Sequence, residues 1–294
     1  MDSAGVVVRA SGAPVRAALH TRCPGRRRDD RVASVVGRHA RLDLVFVNRN
    51  GQTVLAEAYA EPPFRVGRWF AEADGLHMIL TSSAPGVFGH DHLQLMVRVG
   101  CGARVRLTSQ SAMQVHPSLD SATAHVRSSF HVEDGAQLHC DWHPLIPFEA
   151  ARIDQRIDLN IAGSGYLYWS DALMSGRNAR GERWKFASIA HEIIVRRDGA
   201  REYLERYHIQ PNELAVSRPW AAGDASYLGT TLMSGRLIEP DFAERLHIGL
   251  GRLAGVRAAV DRLDQRVLLT RLLSASGPPF HEARRWIRDC STSR

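Results

Sequence analysis

The 294-residue chain is 44% hydrophobic and 23% charged, with a formal net charge of +7. These values exclude wholesale disorder and a collagen-like fibre, and no apolar run reaches the roughly 18 to 20 residues of a membrane helix. Residues 1–40 hold eight Arg against three Asp, so the rest of the chain is close to neutral and offers no basic groove for nucleic acid.

The Arg-rich segment 1–38 reads as a flexible tail ahead of one domain spanning 39–294. Order begins at Arg41–Asn48, where Leu42, Leu44 and Phe46 share one face with the period of a half-buried strand. Asn48–Gly51 is a turn signal, and Gln52–Ala60 completes a hairpin. Leu93, Leu95, Val97 and Val99 alternate with polar neighbours, and Val105 and Leu107 continue after Gly102. Phe130 and Val132 lead through Asp134–Gly135 to Leu138, Cys140 and Trp142. Ile153, Gln155, Ile157, Leu159 and Ile161 alternate in the same way before Gly163–Gly165 and Tyr166–Trp169. Ile189–Val195 reaches Asp198–Gly199, and Glu202–Ile209 follows.

Gly102, Gly135, Gly165 and Gly199 each sit between two strand-like runs, at a spacing of about 30 residues. Such a period predicts stacked similar units, and both a β-solenoid and a sandwich of repeated hairpins satisfy it. Helical spacing then appears at Asp241–Leu253 and Pro278–Asp289, with strand patterns at Val256–Val260 and Arg266–Leu273 between them. The expected fold is mainly β with one or two C-terminal helices.

The chain has no GxxxxGK[ST] loop, no GxGxxG turn, no HExxH pair and no GxSxG elbow. No catalytic residue is therefore assigned. Cys23, Cys101, Cys140 and Cys290 form no CxxC pair, and a reducing cytoplasm is the expected compartment. The densest polar cluster is Leu138–Pro144 (LHCDWHP). Strand alternation would place His139, Asp141 and His143 on one face, as ligands for a borderline divalent ion or as solvated positions on a sheet. Asp91 and Asp171, each near a turn, are either structural caps or polar groups lining a passage. Arg177, Arg180 and Glu182 belong to a compact charged loop, a solvated connection or a partner-docking surface.

Three segments carry a family resemblance. Ser83–Val115 resembles the signature of urease accessory protein D, and the run beginning DGAQLHCDWHP is similar to that family's next conserved segment. Asp171–Glu182 (DALMSGRNARGE) is similar to its E-x-x-x-LGR-x-ARGE segment. The resemblance covers about residues 38–290. It implies a solenoid-like, non-catalytic subunit that works with accessory proteins F and G, the latter a GTPase, to insert nickel into apo-urease. It further implies transient nickel rather than a tightly bound cofactor, and no nucleic-acid or membrane partner. The candidate nickel passage is Asp91, His139, Asp141, His143 and Asp171; Arg177, Arg180 and Glu182 are the candidate docking residues. By the same resemblance, Asp171 stands where the family has Glu, His139 replaces a Glu, Gln114 replaces a Lys, and His90 replaces a Gly, which puts the tight turn there in question. The alternative is a His-rich metal-dependent hydrolase or isomerase on a β scaffold, which would hold stoichiometric metal and turn over substrate alone.

Overall fold

The computed structural model describes residues 6–9, 37–72, 75–219, 221–235 and 238–292. In chain order the strands begin with β1 (Val6–Arg9), β2 (His39–Arg49), β3 (Gln52–Ala60), β4 (Phe64–Arg65), β5 (Trp69–Glu72), β6 (Gly75–Ser82) and β7 (His92–Val99). They continue with β8 (Arg104–Ser109), β9 (Met113–Val115), β10 (Ala124–Val132), β11 (Gln137–Asp141), β12 (Leu145–Pro147) and β13 (Arg152–Ile161). After β14 (Tyr166–Met174), β15 (Ser188–Arg197), β16 (Ala200–Ile209) and β17 (Tyr227–Ser234) come α1 (Pro240–Gly251), β18 (Val256–Arg262), β19 (Val267–Ser274) and α2 (Gly277–Thr292).

These strands form two sheets. The first has the order β1-β3-β2-β7-β10-β13-β15-β16, and the second β18-β19-β17-β14-β11-β8-β6-β4. In the first, β2, β7, β10, β13 and β15 run parallel side by side. In the second, β6, β8, β11 and β14 do the same. The chain therefore climbs in coils, crossing from the first sheet to the second and back once per repeat. This is the solenoid-like stack, closed at each end by antiparallel strands.

The repeating glycines mark the crossings. Gly102 and Gly135 both have φ of 68°, and Gly163 has φ of 49°, a conformation that disfavours a side chain. In the third turn that role falls to Gly163 rather than Gly165. The turns bind one another: the Gly135 N–H donates to Ser164 Oγ (3.1 Å), Ser164 N–H to Asp134 Oδ1 (2.7 Å), and Gly163 N–H to Asp198 Oδ1 (2.9 Å). At Asp198–Gly199 the chain instead folds back within the first sheet as the β15–β16 hairpin, ending the parallel run.

Alternation buries one face of each sheet against the other. Near the turns the interior is mostly apolar, with Phe46, Val99, Leu107, Phe130, Leu138 and Val195 at most 1% exposed, until the row through Ile161 ends in buried Arg197, which donates to Glu202 and Ser234. A second apolar cluster around Val115, Ile153, Phe186 and Ile189 fills the opposite end of the strands. The two helices cover the outer face of the second sheet. Phe242, Leu246 and Leu250 of α1 and Phe280, Ala283 and Ile287 of α2 pack with Tyr166, Tyr168, Met233, Leu268 and Leu272. Each of the buried Leu, Ile, Met and Phe side chains contributes about 1.5–3 kcal/mol. The helices approach so closely that a Cβ on Gly249 would lie 2.2 Å from the Trp286 ring.

The tail reading falls mostly on residues 1–5 and 10–36, which lie outside the described residues. Val6–Arg9 pairs antiparallel with β3, and Arg38 belongs to the folded body.

Candidate functional site

Between the two apolar clusters the inward rows turn polar. In the first sheet, one row in register reads Leu42, Leu95, Ser128, Ile157, Ile193, Glu205. The next row reads Ala40, Leu93, Val126, Gln155, His191, Tyr207. From the second sheet come Ser109 on β8 and, side by side on β14, β17 and β19, Asp171, Thr230 and Arg271. These side chains do not fill the space between the layers. All of them but Ala40, Leu42 and Ile193 line a cavity of about 410 Å³ that extends from Phe64, Leu80 and Pro85 beside β4 and β6 to Glu205 and Arg271 on β16 and β19. Its long direction is thus along the stack, across the strands.

Arg271 ties the two sheets together inside this space. Its Nη1 donates to Glu205 Oε1 (2.6 Å) and Thr230 Oγ1 (3.0 Å), and its Nη2 to Tyr203 Oη (3.0 Å). The Tyr203 hydroxyl donates in turn to Glu205 Oε2 (2.8 Å). Burial, with Glu205 nearby, pushes both Tyr203 and Tyr207 above the ordinary phenol range, so both remain neutral donors at physiological pH. His191 stacks on Tyr207 with ring centroids 4.8 Å apart, and its Nδ1 lies 3.1 Å from Gln155 Oε1. A ring donating Nδ1–H to that oxygen would present Nε2 to the cavity.

Asp171 receives one hydrogen bond, from Trp169 Nε1 (3.0 Å). Burial dominates and pushes its carboxyl above the usual carboxylate range, against the opposing pull of His191. A carboxyl whose folded pKa is raised costs stability at neutral pH, and that cost disappears as pH falls through the folded value toward 3.8. Asp171→Asn is therefore expected to melt at or above the wild-type temperature at pH 8. The difference shrinks as the pH is lowered toward 4, and scanning calorimetry across that range checks it. A clear loss of stability at pH 8 would show that the charge is instead compensated.

The sequence candidates separate in space. Asp171 faces the cavity, and His143 lies at its exposed rim. His139 and Asp141 point the other way, because alternation in β11 sends Leu138 and Cys140 inward. The strand ends at Asp141, so the expected common face for His139, Asp141 and His143 does not extend to His143. His139 stacks against Tyr168 (5.5 Å), while Asp141 is held by Arg284 and Arg288 of α2. Asp91 is 1% exposed and caps the entry to β7. It accepts from Arg38 Nε (3.0 Å), Arg38 N–H (2.9 Å) and Phe88 N–H (2.8 Å). Burial opposes its ionisation, but these donors outweigh burial and hold its carboxyl below the ordinary range. His90, beside it, takes φ of 67°, so the left-handed turn suited to glycine is kept with a histidine in it.

In the charged loop, Arg177 and Glu182 form a two-point ion pair, and the Arg177 guanidinium lies 3.7 Å from the Phe148 ring centre. Arg180 is exposed at the end of a short 3-10 turn, Asn178–Arg180. Gln155, His191, Glu205, Thr230 and Arg271 were not among the candidates. Their signal was a polar residue at an inward position of an apolar alternation, as in Ile153-Gln155-Ile157 and Ile189-His191-Ile193. Among the described residues, no three His, Cys, Asp or Glu side chains converge as a ligand set. Asp171, His191, Gln155 and Glu205 sit on neighbouring strands toward one end of the cavity, with Ser128, Ser109 and His143 farther toward β6, and without a closed ligand set they offer weak contacts rather than one tight site.

A family model for the UreD urease accessory protein matches residues 38–293. The urease accessory protein UreD of Deinococcus radiodurans is 29% identical over 265 residues, covering 86% of this chain and 89% of the relative. That of Cupriavidus pinatubonensis is 31% identical over 241 residues, covering 80% and 82%. That of Lysinibacillus sphaericus is 24% identical over 251 residues, covering 84% and 93%. The match runs through every coil of the stack and both closing helices, and the chain belongs to the UreD urease accessory protein family.

Proposed function

We propose that this protein is a non-catalytic cytoplasmic subunit that, with accessory proteins F and G, assists GTP-dependent insertion of nickel into apo-urease. Nickel is its cargo and passes through transiently. The observation that carries this reading is the cavity between the sheets, with Asp171, His191, Glu205 and Gln155 as oxygen and nitrogen donors toward one end and Ser128 and His143 farther along. Nickel accepts both imidazole and carboxylate, and dispersed donors let an ion move on rather than stay. Asp171 and His143 contact the passage directly in this reading. Asp91, His139 and Asp141 serve it by holding the walls. Arg180 is the exposed docking contact on a loop shaped by Arg177 and Glu182.

The test is co-expression of the tagged chain with urease and the other accessory proteins. The account expects F, G and apo-urease to co-purify with it. The double variant Asp171→Ala/Glu205→Ala should capture the same partners while the nickel content of urease falls on the order of 10-fold. Failure to capture any of these partners, or tight stoichiometric metal with turnover by the isolated chain, would favour the metal-dependent hydrolase reading.

A further inference from the structure

The outer face of the first sheet carries a histidine row that the passage does not use. His39, His92 and His125 occupy one register position on the adjacent parallel strands β2, β7 and β10. Asp154 of β13 stands next in the same row, Ala190 of β15 follows, and His208 of β16 ends it, separated from the three histidines by Asp154 and Ala190. Their inward neighbours Ala40, Leu93, Val126, Ile153 and Gln155 face the interior, so the four polar side chains project from the opposite face. The rings stack: His39 and His92 have centroids 4.7 Å apart at 7°, and His92 and His125 4.7 Å apart at 25°. His125 Nδ1 lies 3.5 Å from Asp154 Oδ2, which also takes Arg127 Nη2 at 2.7 Å.

Three imidazoles in successive rungs are unusual for a surface that only needs solvation, since any polar residue would serve. Adjacent parallel strands lie about 4.8 Å apart, and two imidazole nitrogens binding one ion at about 2.0–2.1 Å each need to approach closer than that. The rings stack flat and do not converge as they stand. His39 and His92 are exposed, and turning about their side-chain bonds brings one nitrogen from each toward a shared point. The neutral ring is the one that binds metal.

We propose that His92, with His39 or His125 beside it, forms a surface chelate for a borderline divalent cation such as nickel or zinc, on the face of the first sheet opposite the cavity. Water completes the coordination, so the site is open and exchanges its ion readily. It does not depend on the cavity being a passage.

Isothermal titration of the full chain with nickel chloride, and separately with zinc chloride, tests it. The wild type should bind with a saturable component that His92→Ala weakens about 10-fold or more. The His39→Ala/His125→Ala double variant should weaken it equally. His131→Ala removes an exposed histidine outside the row and should leave it unchanged. Circular dichroism of each variant confirms the fold. In the nuclear magnetic resonance spectrum of the wild type, paramagnetic nickel should broaden the His39, His92 and His125 ring signals first. Equal binding by wild type and His92→Ala, no saturable binding by wild type, or broadening that begins at other histidines would each overturn the proposal.

Discussion

Arg284→Ala is expected to lower the free energy of unfolding by about 3–5 kcal/mol, the cost of breaking a buried charge pair from one side. Arg284 on α2 is 6% exposed. Its Nη2 donates to Asp141 Oδ1 (2.7 Å), the Trp142 carbonyl (2.8 Å) and Ser170 Oγ (2.9 Å), and its Nε donates to Ser170 Oγ (3.1 Å). One side chain thus satisfies the end of β11 and the middle of β14, and it pins the closing helix onto the second sheet. Without it, Asp141 keeps Arg288 Nη1 at 3.2 Å, and a buried hydroxyl and a carbonyl lose a donor. Urea unfolding followed by circular dichroism measures the loss. Asp141→Ala should also destabilise, and the double variant should cost clearly less than the two single losses added together. Simple additivity would show that the pair contributes little beyond helix packing.

Phe130→Ala should cost a similar amount, about 3–5 kcal/mol. Phe130 is fully buried on β10, edge-on to Trp169 (5.2 Å) and tilted against Trp142 (6.4 Å). The two tryptophans meet each other at 5.7 Å. This aromatic trio is the wall between the apolar turn end and the polar cavity, and Phe130 contacts both. Removing the ring adds empty volume beside a cavity that already exists, so the surroundings have little reason to collapse inward. Phe130→Leu keeps much of the volume and should cost under about 1.5 kcal/mol. Near-UV circular dichroism should fall in Phe130→Ala as Trp142 and Trp169 lose their packing partner. A loss near 1 kcal/mol for the alanine variant would mean that the wall repacks.

Much of the fold was legible because β alternation is local. Leu42, Leu44 and Phe46, or Ile157, Leu159 and Ile161, declare a half-buried strand without any knowledge of neighbours. The glycine period showed that units repeat, but not that Gly102, Gly135 and Gly163 carry the chain between sheets while Gly199 folds it back. That choice depends on pairing, which a single strand does not encode. β17 left little trace because Gly229 sits where Phe280 of α2 presses against the sheet, 2.8 Å from where a Cβ would be. Asp171 could be singled out from its place beside the charged loop. Gln155 and His191 were visible only as interruptions in an apolar face. Arg271 and Glu205 are far apart in the chain, so their bridge across the cavity needed the three-dimensional structure. The same holds for His39, His92 and His125, which become one row only through strand register.

If nickel moves through the space between the sheets, as proposed, a plug in that space should stop it. Ser128 faces that space midway along the stack, between Leu95 and Ile157 in its row. Ser128→Phe puts an apolar ring into the cavity while leaving Asp171, His191 and Glu205 in place. Nickel per urease, measured by atomic absorption after co-expression with the variant, is the direct readout. The variant is expected to fold and capture its partners as the wild type does, while urease nickel falls to the level seen without this chain. Full nickel loading by a folded, partner-bound Ser128→Phe protein would contradict it.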